Sequence, residues 1–170
     1  HAELAGGMTA KVSALMAAVR AGQNAGPARD ALVAWCDSEL LPHARAEETA
    51  LYPAAQALAP VRALVESMLA EHRVLGDLVD GLRHADAVQA VGNATALQTM
   101  FDSHLIKENE QVLPALAEAP EVALAELLHG MHEALAADEH AGHGHGHGHG
   151  HGHGHGHEAP VAEAGHGHSC

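Results

Sequence analysis

Between Val61 and Leu82, core-type residues recur in steps of four and three, and this spacing is the strongest constraint on the fold. Steps of four and three place side chains along one face of an α-helix. The members of this stripe are Val61, Val65, Met68, His72, Leu75, Val79 and Leu82. A helix with one apolar face has to bury that face, and long helices do so in a bundle.

Composition favours helices over strands. Hydrophobic residues make up 47% of the chain but aromatic residues only 2%, so the apolar positions are mostly Ala, Leu and Val. Ala and Leu are strong helix formers, whereas strands prefer β-branched and aromatic residues. A β-sandwich, an aromatic platform for stacking bases and an aromatic lectin site are therefore disfavoured.

Gly and Pro residues divide the first part of the chain into five predicted helices. Their expected ranges are 1–21, 26–53, 60–84, 93–113 and 120–137. Short connections between long helices favour antiparallel neighbours. We therefore predict an all-α fold, namely an up-down four-helix bundle with a short fifth helix.

The composition changes near Asp138, where we place a domain boundary. Residues 1–137 carry all eight Lys and Arg, whereas 138–170 carry none and hold 11 of the 18 histidines. Residues 142–157 are a strict Gly-His repeat. Such a segment has high backbone entropy and no core side chains, which predicts a disordered tail. The chain begins at His1 and ends in a renewed Gly-His stretch, so we expect a fragment of a longer protein.

The charge balance argues against nucleic acid and membranes as partners. Acidic residues outnumber Lys and Arg by 22 to 8, and phosphate binding requires a basic face. No apolar run approaches the roughly 20 residues of a membrane span. Cys36 and Cys170 make no disulfide framework, which favours a reducing, cytoplasmic location.

Histidines and glutamates interrupt the predicted inward stripes. Each of four stripes contains one histidine, and these are His1, His43, His72 and His104. Glu47 and Glu108 each follow such a histidine by four residues, one helical turn away on the same face. Taken alone, an inward histidine is more often a hydrogen-bonded core residue. Together, buried carboxylates among imidazoles call for a cation, and these ligand types favour a non-haem di-iron site.

An internal repeat contains the two His-Glu pairs. The matched residues are His43, Glu47 and Pro53 in the first copy and His104, Glu108 and Pro114 in the second. A doubled helix pair of this kind predicts a pseudo-symmetric dinuclear centre. His132 follows the second copy at nearly the spacing at which His72 follows the first, so it is a further candidate ligand, with a structural or surface role as the alternative.

These residues resemble the hemerythrin-like family, also called the HHE cation-binding domain. The resemblance covers about 1–135 and rests on His1 and on the segments LLPHARAEETALYP, EHRVL and HLIKENEQVLP. It implies a four-helix bundle with a carboxylate-bridged di-iron centre. The implied terminal ligands are His1, His43, His72 and His104, and the implied bridges are Glu47 and Glu108. Family roles are oxygen binding, oxygen or redox sensing, iron handling, and defence against peroxide or nitric oxide.

The chain departs from the oxygen-carrying members of that family. Those have His-x3-His on the third helix, whereas here Gly76 stands four residues after His72. They use His-x4-Asp on the fourth helix, where this chain has His104 followed by Glu108. With fewer imidazoles, we expect iron and small oxidants such as O2 as partners, in redox reactivity or sensing rather than oxygen carriage.

Several neighbours of the predicted ligands are expected to have simpler roles. Glu48, Glu71 and Glu110 are expected to be solvated, and Cys36 to be buried filler. Tyr52 is interpreted first as a core aromatic, with a hydrogen-bond role at the site as the alternative.

The sequence is also compatible with two other functions. One is a metal storage or delivery protein whose Gly-His tail binds nickel, zinc or copper through neutral imidazoles; a repeat expansion without a role is the alternative for that tail. The other is a metal-free helical interaction module. No particular protein partner is indicated.

Overall fold

The computed structural model describes residues 1–120 and 122–142, without the side chains of 132, 134 and 136–142. All regular secondary structure in this part is helical, which confirms the predicted all-α class. The α-helices are α1 (Ala2–Arg20), α2 (Gly26–Trp35), α3 (Leu41–Ala46), α4 (Tyr52–Ala57), α5 (Arg62–Arg83), α6 (Ala87–Lys107), α7 (Leu113–Glu118) and α8 (Leu124–Gly142). Three π-helical segments join some of them, namely π1 (Cys36–Leu40), π2 (Glu47–Leu51) and π3 (Glu108–Val112). Of the predicted tail, 138–170, the first five residues belong to α8, and 143–170 lie outside the described residues.

Each π segment ends just before a helix whose second residue is proline. Proline lacks an N–H group and its ring clashes with the carbonyl four residues earlier, so it breaks or kinks an α-helix. A wider π turn accommodates the ring. The N–H groups of Leu41, Tyr52 and Leu113 bond to carbonyls five residues back, and the backbone stays in the right-handed helical region. The predicted helix ends at Pro53 and before Pro114 are therefore wrong, because the helical runs 26–57 and 87–118 continue through them.

The other helix ends follow from local capping. Gly22, at φ 66°, ends α1 as predicted, and the next amide bonds back to Ala18. Helix α6 begins at Ala87 rather than near Asn93. The reason is a capping box in which the Asp86 carboxylate accepts from the first-turn amides and the Gln89 side chain bonds back. Helix α8 continues to Gly142, past the predicted end at 137.

The described core consists of two apolar clusters with a polar layer between them. Helix α1 packs against α2 and α6, and α5 packs against the same two helices. The first cluster includes Met8, Val12, Leu15, Leu32, Leu40, Leu75, Val79, Leu97 and Phe101. The second includes Leu51, Tyr52, Val65, Met68, Val112, Leu116 and Met131. On α5, His72 lies between Met68 of the second cluster and Leu75 of the first, which marks the position of the polar layer.

The up-down order of the helices remains a prediction.

In the part of the chain that the structure describes, no helix combines the length and apolar character needed to cross a bilayer.

Candidate metal centre

Five of the six predicted ligands meet in the polar layer as two groups that share one glutamate. The first group is His1, His43 and Glu47, and the second is Glu47, His72 and His104. Within each group the candidate ligand atoms all lie within 4.8 Å of one another. These residues come from the start of α1 and from α3, π2, α5 and α6, so the layer joins all the long helical runs before α8.

The two carboxylate oxygens of Glu47 face different pairs of imidazoles. Oε1 lies 2.7 Å from Nε2 of His43 and 3.5 Å from Nε2 of His1. Oε2 lies 3.3 Å from Nε2 of His72 and 4.0 Å from Nε2 of His104. The Glu47 side chain is only 1% exposed. A carboxylate placed between two imidazole pairs in this way is suited to bridge two cations.

Glu108, the sixth predicted ligand, lies beside the first group. It is fully buried at the start of π3, and its Oε2 atom lies 3.5 Å from Nε2 of His1. Neither of its carboxylate oxygens has a hydrogen-bond partner. In the described residues it belongs to neither contact group, so the structure places it next to the centre but with fewer contacts than Glu47.

The pKa values of the two buried glutamates are shifted in opposite directions. Burial opposes ionisation of Glu47, but the surrounding imidazoles of His1, His43 and His72 outweigh burial and hold its pKa well below the ordinary value. Burial and then the negative charge of Glu47 raise the pKa of Glu108 to about 9. Two neighbouring carboxylates cannot both ionise in a buried site without added positive charge.

The histidines of the layer also respond to these charges. The contact with Glu47 raises the pKa of His1 to about 9, against the effect of burial. Burial lowers the pKa of His72, but contacts with Glu47 and Glu48 outweigh it, so the net shift is upward. Burial and the neighbouring His72 lower the pKa of His104. The glutamates thus favour the protonated, positively charged forms of His1 and His72.

Three of the histidines are held from outside the layer through their Nδ1 atoms. Nδ1 of His72 lies 2.8 Å from Glu48, and Nδ1 of His104 lies 3.2 Å from Glu71, which also pairs with Lys107. Nδ1 of His1 lies 2.8 Å from the Asn109 side-chain oxygen. Metal-binding histidines are usually held in this way, because the outer acceptor fixes the ring and leaves Nε2 free.

The prediction that these outer glutamates are solvated is confirmed for Glu48, which is 42% exposed, and wrong for Glu71, which is 16% exposed. Each also accepts a hydrogen bond from an imidazole on a neighbouring helix. Glu110 is exposed, as expected. The helical pattern gave no signal for these contacts, because they depend on how one helix packs against another.

The unpaired atoms of the layer fit a cation. Buried polar atoms normally have hydrogen-bond partners. Here Nε2 of His43, Oε1 of Glu47 and both oxygens of Glu108 have none, since the 2.7 Å contact between His43 and Glu47 lacks hydrogen-bond geometry. Their lone pairs converge on the polar layer, and a cation would satisfy several of them together.

The pair formed by His72 and His104 leads to the same conclusion. Their Nε2 atoms are 3.1 Å apart. Each Nδ1 atom carries a hydrogen, because its partner is a carboxylate. Two neutral rings would therefore turn their Nε2 lone pairs towards each other, and positive charge between them removes that repulsion. Imidazole and carboxylate ligands without thiolate fit iron, manganese or zinc.

Tyr52 takes part in the layer as well as in the core. It is 1% exposed and belongs to the second apolar cluster, as first interpreted. Its hydroxyl also lies 3.1 Å from Nε2 of His104 and 3.5 Å from Nε2 of His72. In a regular α-helix, five residues correspond to a turn of about 500°, which would direct Tyr52 away from the Glu47 face. The π segment brings it over Glu47, since its N–H bonds to the Glu47 carbonyl.

A small cavity with room for about one water-sized molecule adjoins the second group. Its apolar wall consists of Leu40, Leu75, Phe101 and Leu105, and its polar end of His43, Glu47, His72 and His104. The apolar wall limits the access of water to the imidazoles.

Two other sequence candidates have different outcomes. Cys36 is buried and free, as predicted, and burial raises the pKa of its thiol to about 12. His132 lies on α8, but its side chain is outside the described residues, so its role as a ligand stays a prediction.

A helical protein with a buried layer of imidazoles and carboxylates belongs to the class that binds metal cations in the core. The family model of the hemerythrin HHE cation binding domain matches residues 1–116, and the chain belongs to this family. The matched region contains all six histidines and glutamates of the layer, which confirms the family resemblance. Searches of curated proteins and of solved structures gave no match.

Proposed function

We propose that this protein holds a non-haem di-iron centre and acts through the reaction of that centre with O2, peroxide or nitric oxide. Its role would lie in oxygen or redox sensing, in iron handling or in defence against peroxide or nitric oxide. The observation that carries the proposal is the position of Glu47, whose two oxygens face two separate pairs of imidazoles. A single metal ion needs no such arrangement.

The proposed ligands divide between two positions. His1 and His43 would hold one ion, His72 and His104 the other, and Glu47 would bridge them. We assign Glu108 as a further bridging ligand, because both of its buried oxygens lack partners beside His1. When bound, iron would supply a redox-active centre that exchanges electrons with small molecules.

The protein's own residues prepare this site. Glu48, Glu71 and Asn109 orient three of the imidazoles. Glu47 carries the negative charge that offsets part of the charge of the cations. Apolar residues such as Leu75 and Phe101 border the small cavity and restrict water there. These features favour a reactive site open to a very small molecule over one that receives an organic substrate.

Three broader features belong to the same proposal. We infer that the helices of 1–137 form an up-down four-helix bundle, since α1 and α5 each pack against α2 and α6. We assign the His-rich residues that follow α8 to a separate, disordered tail on the basis of their composition. The low number of cysteines favours the cytoplasm.

The test compares the full chain with a variant in which the 11 histidines of 138–170 are replaced by asparagine. Both are produced with added iron, and metal content and the absorption spectrum in air are measured. We expect about two irons per chain in both proteins, with ferric charge-transfer absorption that changes on adding peroxide or nitric oxide. A folded variant that binds no metal would overturn the proposal.

The Gly-His run supports a second candidate function, the storage or delivery of nickel, zinc or copper. It predicts several equivalents of these metals in the full chain and their loss in the asparagine variant. If neither protein binds metal and a chelator leaves the melting temperature of both unchanged, the chain is a metal-free helical module instead.

A further inference from the structure

We infer that Tyr52 is a protein ligand of the metal position formed by Glu47, His72 and His104, and that it binds through its phenolate oxygen. This inference rests on the proposed metal centre and deepens it. It assigns a fourth donor, a phenolate, to one of the two positions. The centre would then be chemically asymmetric, because Leu113 takes the place of Tyr52 in the second copy of the repeat.

Four distances among the donor atoms match those of neighbouring ligands around one ion, and a fifth, between Glu47 and His104, is longer. Ligand atoms bound at about 2.0–2.2 Å lie roughly 2.8–3.6 Å from their neighbours in tetrahedral or octahedral sets. Nε2 of His72 and of His104 are 3.1 Å apart, and Oη of Tyr52 lies 3.1 Å from Nε2 of His104 and 3.5 Å from that of His72. Oε2 of Glu47 lies 3.3 Å from Nε2 of His72 and 4.0 Å from Nε2 of His104.

Hydrogen bonding among neutral side chains accounts poorly for the position of the phenol. A buried tyrosine hydroxyl usually finds a partner. In the described residues, the partners of Tyr52 Oη are the two Nε2 atoms. When both rings are neutral with their hydrogen on Nδ1, both Nε2 atoms are acceptors, and the single phenol hydrogen can serve only one of them. A cation between the three atoms would satisfy all of them at once.

The backbone explains why the phenol oxygen lies at the Nε2 atoms of His72 and His104. The π turn from Glu47 to Leu51 bonds the Tyr52 N–H to the Glu47 carbonyl and stacks the tyrosine over the bridging glutamate. Tyr52 is also stacked on His72, with an interplanar angle of 19° and ring centroids 5.4 Å apart. The backbone turn and the stacking contact together hold the ring with its oxygen at the Nε2 atoms.

Binding requires one balanced proton transfer and no redox partner. The O–H bond of Tyr52 breaks, the oxygen donates an electron pair to the metal ion, and the proton leaves to solvent. Metal binding normally releases protons from its ligands in this way, since the positive charge of the ion favours the deprotonated form.

The test uses resonance Raman and visible absorption spectroscopy on the full chain loaded with ferric iron. Tyr52 is the single tyrosine in the chain, so any vibrations of an iron-bound tyrosinate ring must come from it. We expect a visible charge-transfer band with these ring vibrations in the unaltered protein. Both should be lost in Tyr52→Phe, while iron remains at the position of His1 and His43.

Two controls separate the possible causes of a visible band. Cys36→Ala should keep the band, which excludes a thiolate on iron. The melting temperature of metal-free Tyr52→Phe reports whether the variant is folded, and if it is not, the ring vibrations of the unaltered protein still decide the question.

Two results would overturn the inference, and they are distinguishable. If the unaltered protein binds about two irons without tyrosinate vibrations, Tyr52 is not a ligand, but the di-iron proposal stands. If the folded protein binds no iron, the proposed centre and the tyrosine ligand both fail.

Discussion

The two copies of the repeat, 43–53 and 104–114, have the same backbone design but different electrostatics. Each has a His-x3-Glu pair, a π segment that starts at the glutamate and a proline just beyond it. Glu47 nevertheless has four imidazoles within 4.0 Å, whereas the imidazole beside Glu108 is that of His1. The pKa of Glu47 is lowered and that of Glu108 is raised to about 9. The local sequence therefore determines the π turn, whereas residues on other helices determine whether the glutamate is ionised.

The residues that directly follow the two glutamates also differ in charge between the copies. Glu48 and Asn109 occupy equivalent positions, and each holds the Nδ1 atom of a histidine on another helix. A carboxylate forms a stronger, charge-assisted hydrogen bond than an amide oxygen. The ring of His72 is therefore held more firmly than the ring of His1.

The largest expected effect comes from removing the shared carboxylate. Glu47→Gln takes an oxygen ligand from both groups at once and should lower the iron content from about two ions per chain to almost none. Glu108→Gln should keep at least part of the iron, because Glu108 contacts fewer imidazoles than Glu47. Elemental analysis of the two folded variants measures the difference. Equal losses would show that the two glutamates are equivalent despite their surroundings.

A smaller effect is expected when one copy of the repeat loses its histidine. His43→Ala and His104→Ala each remove a ligand from a different group and should each lower the iron content by about one ion. Iron titrations of both variants, and of His129→Ala as an exposed control, would measure it. Loss of both ions in either single variant would contradict the division into two groups.

The outer acceptors should have a weaker influence. Glu48→Gln and Asn109→Ala disturb the orientation of one histidine each, and such changes typically lower metal affinity by about 10–100-fold. Because the bond from Glu48 is charge-assisted, we expect the larger loss for Glu48→Gln. Competition with a chelator gives both affinities, and a larger loss for Asn109→Ala would reverse the ranking of the two positions.

The smallest effect concerns the metal-free protein. With the pKa of Glu108 raised from 4.5 to about 9, the folded state keeps a proton that the unfolded state releases. The free energy of unfolding should therefore fall as the pH rises through this window. Glu108→Gln stays neutral, so it should lack this part of the pH dependence. It should be close in stability to the unaltered protein near pH 5 and the more stable of the two at pH 7 and above.

Urea unfolding of both chelated proteins between pH 5 and pH 9 measures this contribution. His1, whose pKa is also raised to about 9, contributes in the same direction, and because Glu47 is the main cause of that shift, most of this contribution is common to both proteins. Parallel pH profiles would mean that Glu108 is ionised in the folded protein.

The fold class and the six predicted ligands could be derived from the sequence because they follow helical spacing. The stripe of α5 is buried at each of its positions, from Val61 to Leu82. The assignment of all six residues as ligands stays a prediction, although the structure places them in one layer. Spacing failed where the helix changes its period, as at Pro53, and there it could not decide between the core role and the site role of Tyr52, which has both. It also missed Glu48 and Glu71, whose contacts arise only when helices pack.

The polar layer divides the interior between two apolar clusters, and this has a consequence for how the molecule opens. Each cluster can keep its own packing when the layer is weakened, so the layer is where cooperativity between the two ends is transmitted. Amide hydrogen exchange reports such separate opening units. A bound cation would couple the two ends into one unit, whereas chelation would let the end that contains α4, α7 and α8 exchange independently of the end that contains α1 and α2.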